Sequence, residues 1–194
     1  YPDERLFLQE YEANFVSDAG QVFRDYEPQI LPRDQIYEDA KPRRFYVIGV
    51  DVAKTEDFTV LTVFDRETHH MVSQSRFQGI DYALQMDQLI FLARRYNNAR
   101  IILDTTGVGE AIKDFVLRAG VFAEDFKFSG KSKEELIGKF KLYLENKMIW
   151  LADDPVLLKE MNSYEYKLRN EKTGEPLRNI QYGPPKGYHD DCID

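Results

Sequence analysis

Aspartates that close strongly apolar runs are the residues whose type and spacing could do chemistry in this chain. Asp51 closes Arg44-Phe45-Tyr46-Val47-Ile48-Gly49-Val50, and Asp104 closes Ala99-Arg100-Ile101-Ile102-Leu103. Both runs are rich in β-branched residues and too short for helices, so they read as central strands, the first buried on both faces. A carboxylate in such a place is costly unless a cation or hydrogen-bond donor faces it. A metal ion meets that cost, and so does the blander role of capping the turn that Asp51 would make into Lys54-Thr55-Glu56-Asp57. A third acidic group, Asp190 and Asp191 with Asp194, closes the chain.

The composition narrows what such acids can be for. With 194 residues, 43% hydrophobic and 13% aromatic, the chain can bury one good core. One cysteine, Cys192, excludes a disulfide within the chain, and with only three histidines a structural zinc site is not expected. Any metal would be bound by oxygen. The net charge of −8 argues against a protein that grips nucleic acid through its whole surface and leaves room for local basic patches. No apolar run is long enough for a transmembrane helix, and no signal peptide is visible at Tyr1-Pro2-Asp3-Glu4-Arg5, so no membrane partner and a cytoplasmic location are expected.

The elements that must position these acids can be read in order. Residues 1–44 carry charge, four prolines and one helix-like piece near Arg5 to Phe15, and read as a linker or the tail of a preceding module. Residues 45–194 form the main domain. After the Asp51 strand, Phe58 to Phe64 and His70 to Phe77 are two further strands joined by a solvated turn, Asp65-Arg66-Glu67-Thr68, with His69 and His70 also solvated. Together they make an antiparallel meander.

A helix opens at Asp81 with Tyr82, Met86, Leu89, Ile90 and Ala93 on one face. The Asp104 strand follows, then a helix with Val108, Ile112, Phe115 and Val116 inward and Gly120 as its left-handed cap. After another strand near Phe126, Ser132-Lys133-Glu134-Glu135 has capping-box spacing and Asp154-Pro155 is a second helix start. Period-two alternation in Tyr164 to Leu168 and Arg178 to Tyr182 predicts a β-hairpin around Lys172-Thr173-Gly174. A helix start is expected near Asp190.

Three antiparallel strands followed by helix-separated parallel strands give the element order of a ribonuclease-H-like α/β fold, a mixed sheet flanked by helices, with an extra β-hairpin before the C-terminal acids. That order lays the Asp51 and Asp104 strands side by side, with their acids near the edge where α/β sheets bind ligands. Clustered carboxylates repel and raise one another's pKa, which divalent cations would relieve. Mg²⁺ takes a few carboxylates, waters and phosphate oxygens, and a two-ion site about 3.5–4 Å across suits attack of water on a phosphodiester.

The ordered set Val47-Ile48-Gly49-Val50-Asp51 with Asp57-Phe58-Thr59, Leu103-Asp104-Thr105-Thr106-Gly107-Val108-Gly109 and His189-Asp190-Asp191-Cys192-Ile193-Asp194 resembles the nuclease domain of tailed-bacteriophage terminase large subunits. Glu10 to Val16 and Val22-Phe23 resemble the segment joining that family's packaging ATPase to its nuclease. The resemblance implies a Mg²⁺- or Mn²⁺-dependent endonuclease that cleaves concatemeric viral DNA. It implies Asp51 as the bridging ligand, Asp104 as the second, and Asp190 or Asp191 as the third, with Asp194 as fallback. The implied partners are double-stranded DNA, an ATPase domain of the same polypeptide, the portal and the small terminase subunit, all in the host cytoplasm.

Lys172, Arg178 and Lys186 lead to the third acid and are the preferred DNA contacts, ahead of Lys127, Lys131, Lys133, Lys139 and Lys141. His189 reads as a loop histidine, with a proton shuttle as the alternative. Tyr164, Tyr166, Tyr182 and Trp150 read as packing. A junction resolvase or ribonuclease H would share the acids. An actin- or sugar-kinase-like ATPase would share the first strand but needs a second such domain. No Gly-x-x-x-x-Gly-Lys-Ser/Thr motif is present, so no ATPase activity is expected of this chain.

Overall fold

The computed structural model describes residues 20–32, 36, 39–52, 58–104, 109–169 and 176–193. A five-stranded sheet is its centre. Strands β2 (Tyr46–Asp51), β3 (Thr59–Asp65) and β4 (Met71–Phe77) form the expected antiparallel meander, and β5 (Arg100–Asp104) and β6 (Ala123–Phe126) add in parallel on the other side of β2, giving the order β4-β3-β2-β5-β6. The helices are α1 (Tyr82–Arg95), α2 (Gly109–Arg118), α3 (Gly130–Glu145) and α4 (Pro155–Ser163). Hairpin strands β8 (Glu165–Arg169) and β9 (Pro176–Gly183) pair antiparallel as predicted. The helix expected near Arg5 to Phe15 lies outside the described residues.

Alternation along β2 divides the molecule into two cores. Tyr46, Ile48 and Val50 point to one face, where they join Leu61, Val63, Ile101 and Leu103 under Leu89, Ala93, Ile112 and Val116 of α1 and α2. Full burial of side chains such as Ile48, Ile101 and Leu103 stabilises by about 1.5–3 kcal/mol each. On the opposite face the strand is not sealed as expected. A Cβ built on Gly49 would meet no atom within 4 Å, because a cavity lies between this face and helices α3 and α4.

The second core contains Met71, Ile137, Leu144, Leu151, Leu157, Met161 and Tyr164, and part of the stretch read as linker packs into it. Val22 and Phe23 are fully buried, and the Val22 amide donates to the Tyr164 carbonyl at 2.9 Å. Two-residue strand β1 (Ile30–Leu31) pairs in parallel with β7 (Leu151–Ala152).

Local signals placed most helix ends correctly. The Asp81 carboxylate accepts the Ala83 amide at 2.7 Å, and Asp154 accepts the amides of Val156 and Leu157. Gly120 takes φ +78° after α2, the left-handed cap its position demands. Helix α3 starts earlier than predicted. Ser129 is its N-cap, and Ser132 is the third helical residue, whose hydroxyl accepts the Ser129 amide at 2.8 Å while its own amide donates back to the Ser129 hydroxyl at 3.1 Å. A serine can therefore complete a capping box in which a glutamate was expected.

Three further expectations need correction. Asp65 is fully buried instead of solvated: Arg44 lies 2.7 Å from its Oδ2, and Oδ1 accepts the Glu67 and Thr68 amides. His69 and His70 are half-buried, His69 with Nδ1 2.9 Å from the Met148 carbonyl and His70 against Trp150, because the chain after α3 packs beside the turn. Phe115 faces outward, 46% exposed, while Ile112 and Val116 fill the core position.

Candidate metal and nucleic-acid site

Two acids are brought together by sheet register. β2 and β5 run parallel with Val50 opposite Leu103, so Asp51 and Asp104, one residue further along each strand, are neighbours on the same face at the carboxyl edge. Adjacent strands lie about 4.8 Å apart, close enough for two carboxylates to share a cation. Both side chains are partly exposed, and Ile102 beside them is 37% exposed, so this part of the edge is open to solvent.

The third acidic group arrives from the other direction, on the segment after β9. The Tyr188 amide donates to the Pro185 carbonyl, and the Ile193 amide closes a turn on the Asp190 carbonyl at 2.9 Å. That turn occupies the position of the expected helix start. Its two acids are held differently. Asp190 is half-exposed, with Lys133 Nζ 3.0 Å from its Oδ2, whereas the Asp191 side chain is 8% exposed and its Oδ2 takes Arg76 Nη2 at 3.1 Å. His189 Nδ1 lies 3.7 Å from the same oxygen, and its ring stands edge-on to Phe58.

Among the described residues no three acidic, histidine or cysteine side chains form a group able to hold a metal. Asp51 and Asp104 come together; Asp190 and Asp191 are bound instead to Lys133 and Arg76, and Asp194 lies outside the described residues. Asp51 and Asp191 nevertheless border one cavity of about 200 Å³, walled by Phe64, Met71, Ile137, Phe140, Leu151 and Leu157 among others. Asp51 and Asp191 bring carboxylate oxygens to it, the donor chemistry a hard divalent cation requires, and the Cys192 thiol lies beside them. Asp51 and Asp104 thus fit such an ion, and Asp191 is the third-group acid that borders the same cavity as Asp51.

Two charged residues at this site escaped the sequence reading. Arg76, near the end of β4, has its Cζ over the Phe58 ring at 3.3 Å from its centroid while paired to Asp191. Glu160 is 5% exposed on the inner face of α4 between Leu157 and Met161, and its Oε2 accepts the Cys192 amide at 2.8 Å. Burial raises the Glu160 pKa, with Asp191 adding to the rise against the Cys192 amide and Arg76; burial, followed by Glu160, likewise raises that of the Cys192 thiol. The available signal was a glutamate three residues after Leu157 and one before Met161, an acid inside an apolar stripe.

The basic candidates are distributed unevenly. Lys186 is exposed after β9, Lys172 lies outside the described residues, and Arg178 sits in β9 with its side chain outside them. Lys131 pairs with Glu135, Lys133 with Asp190, and Lys141 donates to the Tyr166 hydroxyl at 2.8 Å and pairs with Glu145. Tyr164 is fully buried and the Tyr166 and Tyr182 rings meet tilted at 5.3 Å between centroids, so these tyrosines pack as expected.

Sheet order and acid-bearing edge define a ribonuclease-H-like α/β domain. The model of the terminase RNaseH-like domain family matches residues 48–194, and the chain belongs to that family. It is 30% identical over 206 residues to the terminase large subunit of Thermus virus P23-45, a match that takes in 100% of this chain and 41% of that protein. The chain therefore spans about two fifths of the length of such curated relatives.

The large terminase nuclease of thermophilic phage G20c with bound magnesium superposes with a TM-score of 0.78 at 27% identity, covering 90% of this chain and 93% of that one. The nuclease domain of the bacteriophage SPP1 large terminase with bound manganese shares the fold at 16% identity, with a TM-score of 0.50, 78% of this chain and 90% of that one covered.

Proposed function

We propose that this chain is a metal-dependent endodeoxyribonuclease that cleaves concatemeric viral DNA during genome packaging. The observation that carries the reading is the pairing of Asp51 and Asp104 on adjacent parallel strand ends, in a chain of the terminase RNaseH-like family. Asp51 would bridge, Asp104 would be the second ligand, and Asp190 or Asp191 would complete the set. Mg²⁺ or Mn²⁺, two ions with DNA bound, would neutralise charge on the scissile phosphate and lower the pKa of the attacking water.

The chain's own residues hold Asp51 and Asp104 at a partly open edge, and Lys172, Arg178 and Lys186 would meet the DNA backbone. Residues 1–44 would connect to a packaging ATPase domain of the same polypeptide, with residues 20–31 resting on the nuclease. Portal and small terminase subunit would be further partners, in the host cytoplasm.

Incubating supercoiled plasmid with the chain in Mn²⁺ tests this directly. Nicked and linear products in Mn²⁺, their absence in EDTA and their loss in Asp51→Asn are expected. Metal-independent cutting, or full activity of Asp51→Asn, overturns the reading.

A further inference from the structure

We propose that Glu160 is a positioning residue for the third acidic group, acting through the backbone of the Asp190–Ile193 turn rather than through its charge. The inference rests on the nuclease reading above and names a residue that reading does not use. The turn follows an exposed stretch, with Tyr188 50% exposed, and carries its own Asp190–Ile193 hydrogen bond. One short turn does not fix where its carboxylates stand relative to Asp51.

The fixing comes from α4. Glu160 Oε2 takes the Cys192 amide at 2.8 Å, one residue beyond Asp191, and a buried acceptor on a packed helix is a stiff attachment point. Arg76 closes the other side: its Nη2 lies 3.1 Å from Asp191 Oδ2 and 3.9 Å from Glu160 Oε1, and its Cζ sits over the Phe58 ring, 3.3 Å from the centroid. Burying a carboxylate on the apolar face of α4 is costly, and the Cys192 amide repays it only while the turn is docked. Supporting groups of this kind, when mutated, typically reduce metal affinity by about 10–100-fold.

The test compares three variants whose ranking separates position from charge. Glu160→Gln keeps an oxygen acceptor at the same reach and loses the charge; Glu160→Asp keeps the charge and withdraws the oxygen by one methylene; Glu160→Leu removes the acceptor at similar volume. Mn²⁺ binding is read by calorimetry without DNA, melting is read in EDTA, and plasmid cleavage is read across Mn²⁺ concentrations.

The expected result is that Glu160→Asp and Glu160→Leu weaken Mn²⁺ binding by about 10–100-fold and raise the Mn²⁺ needed for half-maximal cutting in parallel, with much of the rate recovered at high Mn²⁺. Glu160→Gln should stay within a few-fold of wild type. Should Glu160→Leu not fold, the Asp and Gln pair gives the same ranking. If Glu160→Gln loses affinity as fully as Glu160→Asp, the charge matters and the proposal fails. Wild-type Mn²⁺ affinity in Glu160→Asp, with or without a lower melting temperature, also overturns it. Wild-type protein that neither binds Mn²⁺ nor cuts sinks the nuclease reading itself, a different result from normal wild type with unaffected variants.

Discussion

Arg76 Nη2 sits 3.1 Å from Asp191 Oδ2, so a side-chain cation already stands where the buried carboxylate needs one. Asp190, one residue earlier, is half-exposed and rests on Lys133. The two neighbours should therefore answer differently to neutralisation in EDTA. Asp191→Asn is expected to lower stability by about 1–3 kcal/mol, since it strips a buried donor set of its charged acceptor. Asp190→Asn should stay within about 0.5 kcal/mol of wild type. Urea unfolding at pH 7 measures both, and equal losses would contradict the difference in burial.

Asp51→Asn and Asp104→Asn keep side-chain shape while removing charge. Under the proposed function, plasmid cleavage in Mn²⁺ should drop by orders of magnitude, as when a major electrostatic contribution is removed. Melting in EDTA should hold or rise because the repulsion between neighbouring carboxylates is relieved. Added Mg²⁺ should raise the wild-type melting temperature and leave the variants nearly unmoved. A clear fall of Asp104→Asn melting in EDTA would mark Asp104 as structural.

Asp65 gives a pH prediction. Burial pushes its carboxyl up, but the Glu67 and Thr68 amides and the Arg44 guanidinium outweigh burial and hold it below the ordinary carboxylate value. A depressed folded pKa means stability that is present above the unfolded value of about 3.9 and is lost as pH falls through the folded one. Asp65→Asn should cost about 1.5–3 kcal/mol at pH 7. The gap from wild type should then narrow on acidification below about pH 4, read from urea midpoints at pH 7 and pH 3.

The reciprocal Ser129–Ser132 cap fixes the start of α3, the helix that roofs the cavity. Ser129→Ala should cost about 0.5–2 kcal/mol in urea unfolding. A value near zero would place the helix start elsewhere.

DNA binding should be insensitive to sequence and steeply salt-dependent. Replacing Lys172 and Arg178 with Ala is expected to flatten the slope of log affinity against log salt by about one to two units, and Lys186→Ala by up to about one more. An unchanged slope would move the DNA path to Lys127 and Lys139.

The sheet could be read in advance because strand patterns and helix stop signals are local: the Val50–Leu103 register follows from two apolar runs and the parallel crossover between them. Candidate acids could be named for the same reason, each closing a run. Where the third acid goes could not, since Asp191 is paired to Arg76 of β4, 115 positions earlier, and the Cys192 amide after it is held by Glu160 of α4, 32 positions earlier. Asp65 misled because a turn sequence shows its own polarity and not the Arg44 side chain folded over it.

Mechanically, the pairing of β1 with β7 makes the N-terminal side of the domain a point of attachment rather than a loose leash. Tension applied at Gly20 would be borne first by the Tyr166 amide on the Gly20 carbonyl at 2.7 Å and by the Val22 amide on Tyr164 at 2.9 Å. Both bonds end on the chain directly after α4, whose body carries Glu160. A pull from the preceding segment would therefore load the chain leading out of the helix that grips the Cys192 amide.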